Sequence, residues 1–210
     1  MESKKVSNNM LARMPIYLNY IKALPETTKN ISATKIANAL GLGEVSVRKD
    51  LAKVSDGGRC KLGYPCDELI HDIESFLGVK KDLNAVIVGK GDMLQALLNY
   101  GGFENAGLKI VAAFDTSLDE KGSAEEQRVF YIEKMEDICK ENDVSIGIIM
   151  TAADDAQWIC DLLISKGVEG IWNFTPAHLH VPEYVVLQNE SFTASITKLR
   201  MQLKDRSEAS

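Results

Sequence analysis

The clearest indication of the fold class is the stretch Ala85-Val-Ile-Val-Gly-Lys-Gly-Asp-Met-Leu94. Four apolar residues run directly into two glycines that are two positions apart, and helix-forming residues follow. A continuously apolar strand is typical of a parallel sheet that is buried on both faces. In the G-x-G-x-x-G pattern, such glycines permit a tight turn and bring the backbone close to a dinucleotide pyrophosphate. The stretch therefore predicts the first strand and loop of a doubly wound, Rossmann-like α/β domain.

The third glycine of that pattern is replaced by Leu94. Because this glycine allows close packing of helix on strand, we expect Leu94 to push the following helix outward or to alter the phosphate seat. Asp92 places a negative charge beside a phosphate site, which opposes binding. The helix after the loop is predicted from Gln95 to Tyr100.

More apolar runs alternate with helical stretches downstream and extend the parallel sheet; they lie at residues 109–114, 129–131, 146–150, 170–174 and 184–187. The second strand ends at Asp115, whose carboxylate suits an adenosine ribose and would repel a 2′-phosphate, which favours NAD(H) over NADP(H). Two alternatives stay open: a domain that has kept its shape without its ligand, and one that binds another nucleotide or an acyl carrier.

The N-terminal third reads as three short helices. Ile16, Tyr20 and Leu24 recur at helical spacing after Pro15, and Ser32 is a candidate cap for a second helix. Residues 41–44 form a turn before a third helix whose apolar positions are Val47, Leu51 and Val54. The spacing of Ala37, Gly41 and Val47 suits a helix-turn-helix, since a small residue and a turn glycine let the two helices approach.

Basic and polar residues lie on the predicted outer face of the third helix: Ser46, Arg48, Lys49 and Lys53. The Gly-rich run 56–63 follows and resembles a two-stranded wing with basic residues at its tip. Residues 1–63 carry a net charge of +6, whereas the remainder carries −12. A basic N-terminal segment joined to an acidic remainder predicts that the N-terminal segment contacts DNA as a winged helix. The alternative, that the basic residues only face solvent, is less favoured.

The chain has 210 residues, of which 45% are hydrophobic and 26% charged, so disorder is excluded as its main state. It has no apolar run long enough for a membrane helix and no apolar signal segment, which predicts a cytoplasmic protein. Four cysteines without a C-x-x-C pair do not suggest a disulfide scaffold, although a redox disulfide between Cys60 and Cys66 stays open. His178 and His180 fit surface or packing roles better than a metal site.

Four motifs together resemble the Rex family of redox-sensing transcriptional repressors. They are Met14-Pro-Ile-Tyr-Leu18, Val47-Arg-Lys-Asp-Leu51, Ala96-Leu-Leu-Asn-Tyr100, and Asn173-Phe-Thr-Pro-Ala177 with Val181-Pro182. The resemblance spans residues 10–200. It implies a homodimer that binds a palindromic operator and releases it when NADH is bound, with a C-terminal helix swapped onto the partner.

Carried over residue by residue, the resemblance places Ser46, Arg48 and Lys49 at the major groove, and Arg59 and Lys61 at the backbone or minor groove. In the second domain it places Gly89, Gly91 and Met93 at the pyrophosphate and Asp115 at the adenosine ribose. Tyr100 would lie near the dimer-spanning site, and the nicotinamide side would be lined by Thr151, Ala152, Thr175 and Pro176. The chain departs from the family at Asp92, Leu94, Ala152 and Ser191, and in its wing.

The predicted architecture is a winged helix-turn-helix domain (residues 1–80), a Rossmann-like domain (81–190) and a C-terminal dimerisation helix (191–210). The predicted function is that of a dimeric, DNA-binding repressor that responds to NAD(H). A Rex-like regulator with another ligand or a thiol trigger is the first alternative. An NAD-dependent oxidoreductase is the second, and it is disfavoured because no cluster of acid, base and nucleophile and no second substrate domain is evident.

Overall fold

The computed structural model of the chain describes residues 6–59, 62–79, 83–118 and 128–208. The chain divides into two compact units, Met1–Lys81 and Asp82–Ser210. One hydrophobic cluster fills the N-terminal unit, and two further clusters lie in the C-terminal unit.

The described part of the N-terminal unit consists of helices and one short antiparallel sheet: α1 (Asn8–Lys22), β1 (Asn30–Ile31), α2 (Ala33–Leu40), α3 (Glu44–Val54), β2 (Tyr64–Pro65) and α4 (Cys66–Leu77). Ser32 caps α2 by accepting a hydrogen bond from the amide of Lys35. Gly41 ends α2 in the left-handed conformation (φ 65°), which a side chain would disfavour. With Ala37 and Val47 both buried, the predicted helix-turn-helix is confirmed as α2 and α3.

The first helix differs from its prediction in start and in orientation. It begins at Asn8, before Pro15, because the side chain of Ser7 accepts a hydrogen bond from the Met10 amide and caps the helix. Ile16 is 48% exposed, so the predicted apolar stripe was wrong there, while Tyr20 and Leu24 are only partly buried. The face that packs into the core consists of Met10, Met14, Tyr17, Leu18 and Ile21.

The described part of the wing contains an antiparallel bridge. It joins Arg59 and Gly63, whose backbone amides and carbonyls exchange two hydrogen bonds of 2.9 Å. Gly63 has a φ of 79°, and a Cβ there would lie 2.4 Å from the carbonyl oxygen of Ile31. Only glycine therefore fits where the wing returns to β2. Cys60 and Lys61 lie outside the described residues.

The C-terminal unit contains a six-stranded parallel sheet and its helices: β3 (Leu83–Gly89), α5 (Asp92–Leu98), α6 (Gly102–Asn105), β4 (Leu108–Asp115), β5 (Val129–Phe130), a 3-10 helix (Ile132–Lys134), α7 (Met135–Glu141), β6 (Val144–Met150), α8 (Ala153–Ser165), β7 (Gly170–Asn173), β8 (Val186–Asn189) and α9 (Phe192–Glu208). The strand order is β5-β4-β3-β6-β7-β8. Apolar residues of the strands enter two different clusters, Val86 and Val88 in one and Ala85 and Ile87 in the other. The doubly wound fold is thus confirmed.

The strand order reverses at β3, which pairs with β4 on one side and β6 on the other. In this register Gly89 lies beside Asp115 and also beside Met150, so the carboxyl ends of three strands meet at one place. Crevices at such a switch point are where ligands bind in open α/β sheets. The fold therefore brings the glycine loop and Asp115 together, although 26 residues separate Gly89 from Asp115 in the chain.

The predicted boundaries of two elements in this unit, α5 and β8, were wrong. Helix α5 begins at Asp92, directly after Gly91, and ends at Leu98, so Tyr100 lies in the loop that follows. Strand β8 begins at Val186 and not at Tyr184, which is exposed. The shift in β8 arises because its pairing with β7 starts at Gly170 opposite Val186.

The last helix, α9, exposes large apolar side chains: Phe192, Ile196, Leu199, Met201 and Leu203. Phe192 contacts Phe174 with ring centroids 6.1 Å apart. An amphipathic helix with an uncovered apolar side is typical of a segment that packs on another subunit.

Candidate functional site

Helix α3 presents the predicted polar face to solvent. Ser46, Arg48, Lys49 and Lys53 are all exposed, whereas Val47 and Leu51 are fully buried against the core of the unit. Apolar side chains at positions i and i+4 fix which side of the helix turns inward. The structure thus places the four predicted side chains on the accessible part of the second helix of a helix-turn-helix.

A buried polar network lies behind that face, and sequence reasoning missed it. The Asp50 carboxylate accepts hydrogen bonds from Arg13 Nε (2.8 Å) and from the Tyr17 hydroxyl (3.0 Å), and Arg13 Nη2 forms an ion pair with it at 2.7 Å. Arg13 Nε also donates to the Tyr17 oxygen at 3.1 Å. Three side chains from α1 and α3 therefore bond one another beneath the basic residues. A charged residue at an inward position of α3, next to Leu51, is the signal that could have revealed it.

The network raises the pKa of two of its members, Tyr17 and Arg13. Burial, followed by the hydrogen bond to Asp50, raises the pKa of Tyr17 to about 12. The hydrogen bond to Asp50 raises the pKa of Arg13 above its ordinary value. At neutral pH the tyrosine is therefore a neutral donor and the arginine a cation, and together they compensate the buried carboxylate of Asp50.

Arg48 bears an ion pair of its own. Its Nη2 contacts the Oε1 atom of Glu44, one helical turn earlier on α3, and both side chains are exposed. The same arginine lines a groove of about 460 Å³ together with Arg59 from the wing and residues at the start of α2. Two arginines from separate elements therefore line one open groove, an arrangement suited to the phosphates of a nucleic-acid backbone.

The glycine loop at the end of β3 is defined by a close contact to the neighbouring strand and by a left-handed residue. A Cβ on Gly89 would lie 3.1 Å from the carbonyl oxygen of Met150, and Gly91 has a φ of 71°. The Gly91 amide donates to Asp115 Oδ2 at 3.4 Å, and the Thr116 amide donates to the carbonyl of Gly89 at 3.0 Å. The carboxylate of Asp115 therefore lies next to the loop, where it can accept hydrogen bonds from a ribose.

The residues that follow the loop do not share one role. Asp92 and Met93 are exposed at the start of α5, whereas Leu94 is 1% exposed and belongs to a core cluster with Ala85 and Ala113. The side chain of Leu94 is therefore part of the core on one face of the sheet. That Leu94 pushes the helix outward or alters the phosphate seat stays a prediction.

Tyr100 is 58% exposed and packs edge-on against Phe103, with ring centroids 5.1 Å apart. A Cβ on Gly102 would lie 2.4 Å from the ring of Tyr100, so a side chain there would displace the ring from its present position. Phe103 in turn lies 6.0 Å from Trp172, which lies 4.8 Å from Phe174. The tyrosine is thus the exposed end of a row of aromatic rings on the C-terminal unit.

Two loops form the other side of the switch point. Thr151 is half-buried, with its hydroxyl donating to the carbonyl of Ala152 at 3.2 Å, and Ala152 precedes α8. Thr175 is buried, and its hydroxyl bonds Asn173 Oδ1 at 2.8 Å while accepting from the amide of Ala177 at 3.2 Å. Thr175 therefore shapes its own loop and its hydroxyl proton is already used. Pro176 is exposed beside it.

Asn173 organises this loop, a role that the sequence reasoning did not assign. Its fully buried amide accepts from the backbone of Thr175, and its Nδ2 donates to the carbonyl of Ala177 (3.1 Å) and to Asn189 Oδ1 on β8 (2.9 Å). A polar residue at the end of an apolar strand was the available signal. One side chain thus ties the loop to the neighbouring strand.

Thiol and metal chemistry find little support among the described residues. Cys66 is buried, and this burial raises the pKa of its thiol; a thiol with a raised pKa is a poor nucleophile. Its proposed partner Cys60 lies outside the described residues. The rings of His178 and His180 are 5.3 Å apart, and within the described ranges no three His, Cys, Asp or Glu side chains group as metal ligands. In that same part of the chain, no helix is long and apolar enough to cross a membrane.

Comparison with known proteins gives the same division of the chain. Residues 5–52 match a family model described as "Putative DNA-binding protein N-terminus", and residues 80–177 match one described as "CoA binding domain". The redox-sensing transcriptional repressor Rex of Clostridium perfringens is 35% identical over 95% of both chains. Rex of Thermoanaerobacter pseudethanolicus is 32% identical over 96% of this chain and 91% of the relative.

Solved structures agree with these relatives over nearly the whole length. The crystal structure of RSP in complex with β-NAD+ and operator DNA is 30% identical and gives a TM-score of 0.84, covering 98% of this chain and 95% of the other. RSP in complex with β-NADH gives a TM-score of 0.82 at the same identity, with 98% and 97% covered. With this identity over nearly all of its length, the chain belongs to the Rex family of redox-sensing transcriptional repressors.

Proposed function

We propose that this protein is a redox-sensing repressor that binds operator DNA through its N-terminal unit and NAD(H) through its C-terminal unit. The observation that carries the proposal is the meeting of Gly89, Gly91 and Asp115 at the switch point of a sheet that shares its chain with a basic helix-turn-helix. In the relative RSP, one chain binds both operator DNA and NAD+.

Helix α3 is the DNA-reading element of the proposal. Its N-terminal residues Ser46, Arg48 and Lys49 would reach base edges in the major groove, as recognition helices do. Lys53, further along the helix, and Arg59 on the wing would contact phosphates, which set affinity and register without reading sequence. Lys61 is assigned the same role as Arg59 from the sequence alone.

The cofactor site is proposed at the carboxyl ends of β3, β4, β6 and β7. Gly89 and Gly91 would seat the pyrophosphate with Met93 at its edge, and Asp115 would accept hydrogen bonds from the adenosine ribose. The cradle formed by the two glycines and the position of the carboxylate fit a dinucleotide without a 2′-phosphate. The nicotinamide side would be lined by Tyr100, Thr151, Ala152, Thr175 and Pro176. Asp92 lies at the loop and Leu94 supports it from the core.

The repressor is proposed to act as a homodimer, with α9 as the segment that packs on the second subunit. The uncovered apolar side chains of α9 support this assignment. A two-fold dimer places two copies of α3 symmetrically and thereby matches a palindromic operator. The proposal places the protein in the cytoplasm, where a bacterial repressor meets its DNA.

Sensing follows from differential affinity. A cofactor form that binds one arrangement of the dimer more tightly shifts the population toward it, and the shift cannot exceed the ratio of the two affinities. NADH is the form expected to favour the arrangement that releases DNA. No observation at the described residues of the site supports the oxidoreductase alternative, and the family consists of repressors.

The first test is a calorimetric titration of the purified dimer with NADH and with NAD+. NADH is expected to bind more tightly than NAD+. Asp115→Asn is expected to weaken NADH binding about tenfold and to bring NADPH closer to NADH, because a hydrogen bond to a charged acceptor is worth about 1–1.5 kcal/mol more than one to a neutral acceptor. Glu141→Gln, at the amino-end side of the sheet, removes the same charge as a control. If neither cofactor binds the folded dimer, the sensing half of the proposal is wrong.

A further inference from the structure

The N-terminus of α3 carries a carboxylate that the function described so far does not use. Glu44 is the first residue of α3. The N-cap residue of this helix is Gly43, which forms no side-chain capping hydrogen bond. The Oε1 atom of Glu44 pairs with Nη2 of Arg48, the residue assigned to DNA. An acidic residue on a surface that must approach phosphates opposes binding, so a reason for its presence is required.

A stabilising role in the helix accounts for only part of the feature. A negative charge in the first turn interacts favourably with the helix dipole, and an exposed i,i+4 ion pair contributes about 0.3–0.5 kcal/mol. Either effect could be obtained with an acid on another side of the helix. Glu44 instead lies on the same side as Arg48, where 65% of the arginine side chain and 41% of the glutamate side chain are exposed.

The pair has a direct consequence for DNA binding. On a random duplex, a phosphate must compete with Glu44 for the guanidinium of Arg48, and the carboxylate itself repels phosphates. At a base edge the situation differs, because a glutamate accepts a hydrogen bond from the N4 amino group of cytosine while an arginine donates to the O6 and N7 atoms of guanine. A DNA site that offers both cytosine and guanine lets Glu44 and Arg48 separate while each side chain keeps a hydrogen-bond partner.

We infer that Glu44 is a specificity-determining residue of α3, which lowers affinity for DNA in general and selects cytosine at one position of the operator half-site. The inference rests on the proposed DNA-binding function. Its basis is the Glu44–Arg48 ion pair on the exposed face of α3, at the end of the helix from which recognition helices reach bases. The weakness of an exposed pair permits the exchange.

The test compares the full-length dimer with its Glu44→Gln variant, which keeps the size of the side chain and removes its charge. Each protein first selects binding sites from a duplex library with a randomised segment. Dissociation constants are then measured for the selected operator and for a random duplex at several salt concentrations. Glu74→Gln is the matched control, since Glu74 on α4 pairs with Lys22 at 2.8 Å in the same unit.

We expect Glu44→Gln to bind random DNA several-fold more tightly, with a salt dependence steeper by about 0.9 in log–log slope, because Arg48 then neutralises one more phosphate. Preference for cytosine over other bases at one half-site position should fall about fivefold to a hundredfold. Glu74→Gln should change neither quantity. If Glu44 only stabilises the helix, Glu44→Gln should lower the melting temperature and leave the base preference and the salt slope unchanged.

The outcomes separate the two levels of the argument. If the wild-type protein selects no common motif, the proposed function fails. If it selects a motif and Glu44→Gln selects the same one with the same salt slope, the inference is wrong while the function stands.

Discussion

The Nη2 atom of Arg13 lies 2.7 Å from Oδ2 of Asp50, and this ion pair joins α1 to the inner side of α3. Asp50 directly follows Lys49, so the carboxylate that anchors α3 is adjacent to a side chain assigned to DNA. The position of the reading surface is therefore set in part by a polar contact, in addition to the apolar packing of Val47 and Leu51.

Asp50→Asn should lower the free energy of unfolding of the N-terminal unit by about 2 kcal/mol, since it leaves the partly buried Arg13 without its counter-charge. The change is measured by urea denaturation. A double-mutant cycle with Arg13→Met isolates the pair. Additive effects of the two substitutions would show that the pair itself contributes nothing.

Alkaline pH should destabilise the same unit through Tyr17. Its pKa is about 12 in the folded chain against 10.0 ordinarily, so the unfolded state loses its proton first as pH rises. The stabilisation is complete below pH 10 and is lost as pH rises toward 12. Thermal unfolding followed between pH 8 and 12 checks this. Tyr17→Phe should flatten this part of the profile, and an equally steep decline in that variant would assign the effect to another group.

Arg48→Ala should abolish selective operator binding and leave the dimer intact, because Arg48 is on the exposed face and contributes nothing to the core. Lys53→Ala should weaken binding to operator and random DNA alike, with the salt slope reduced by about 1. Footprinting measures operator binding, and sedimentation shows whether the dimer is intact. A protected operator in the Arg48 variant would contradict its assignment.

Leu94→Ala should destabilise the C-terminal unit by about 3 kcal/mol, since it opens a cavity in a filled core. Leu94→Gly restores the third glycine of the dinucleotide-binding pattern, but because Leu94 is buried it should also lower stability. Calorimetric unfolding and NADH titration of both variants distinguish the effects. A Leu94→Gly variant as stable as the wild type would show that α5 moves closer to the sheet and closes the cavity.

Leu199→Glu should convert the dimer into monomers, because a charge would be forced into the apolar face by which α9 is proposed to pack on the partner. Ala194→Glu adds the same charge on the opposite side of α9 and should leave the dimer intact. Light scattering after size-exclusion chromatography gives the masses. Equal masses for both variants would remove α9 from the interface.

The parts of the fold that depend on local patterns were predictable from the sequence. Ser32 and Gly41 mark the bounds of α2, and the apolar runs gave the strands of the sheet, because caps, turns and buried strands leave signals within a few residues. The inward face of α1 was not predictable in this way. Two stripes fit its helical period, and only packing against the other helices selects the one with Tyr17.

The parts of the candidate sites that depend on contacts between distant residues could not be predicted from the sequence. The sequence supplied Asp115 and the glycine loop as separate features, and pairing with β3 brought them together. The bonds of Asp50 to Arg13 and of Asn173 to Asn189 join positions 37 and 16 residues apart, which no spacing rule covers. The burial of Leu94 likewise depends on side chains from several elements that share its core cluster, which the loop sequence alone does not reveal.

The burial of Leu94 also limits how the glycine loop can evolve. Because its side chain belongs to a core cluster, a change back to glycine removes buried volume and is harmful unless other residues of that cluster become larger. Relatives with glycine at this position are therefore expected to carry bulkier side chains elsewhere in the same cluster.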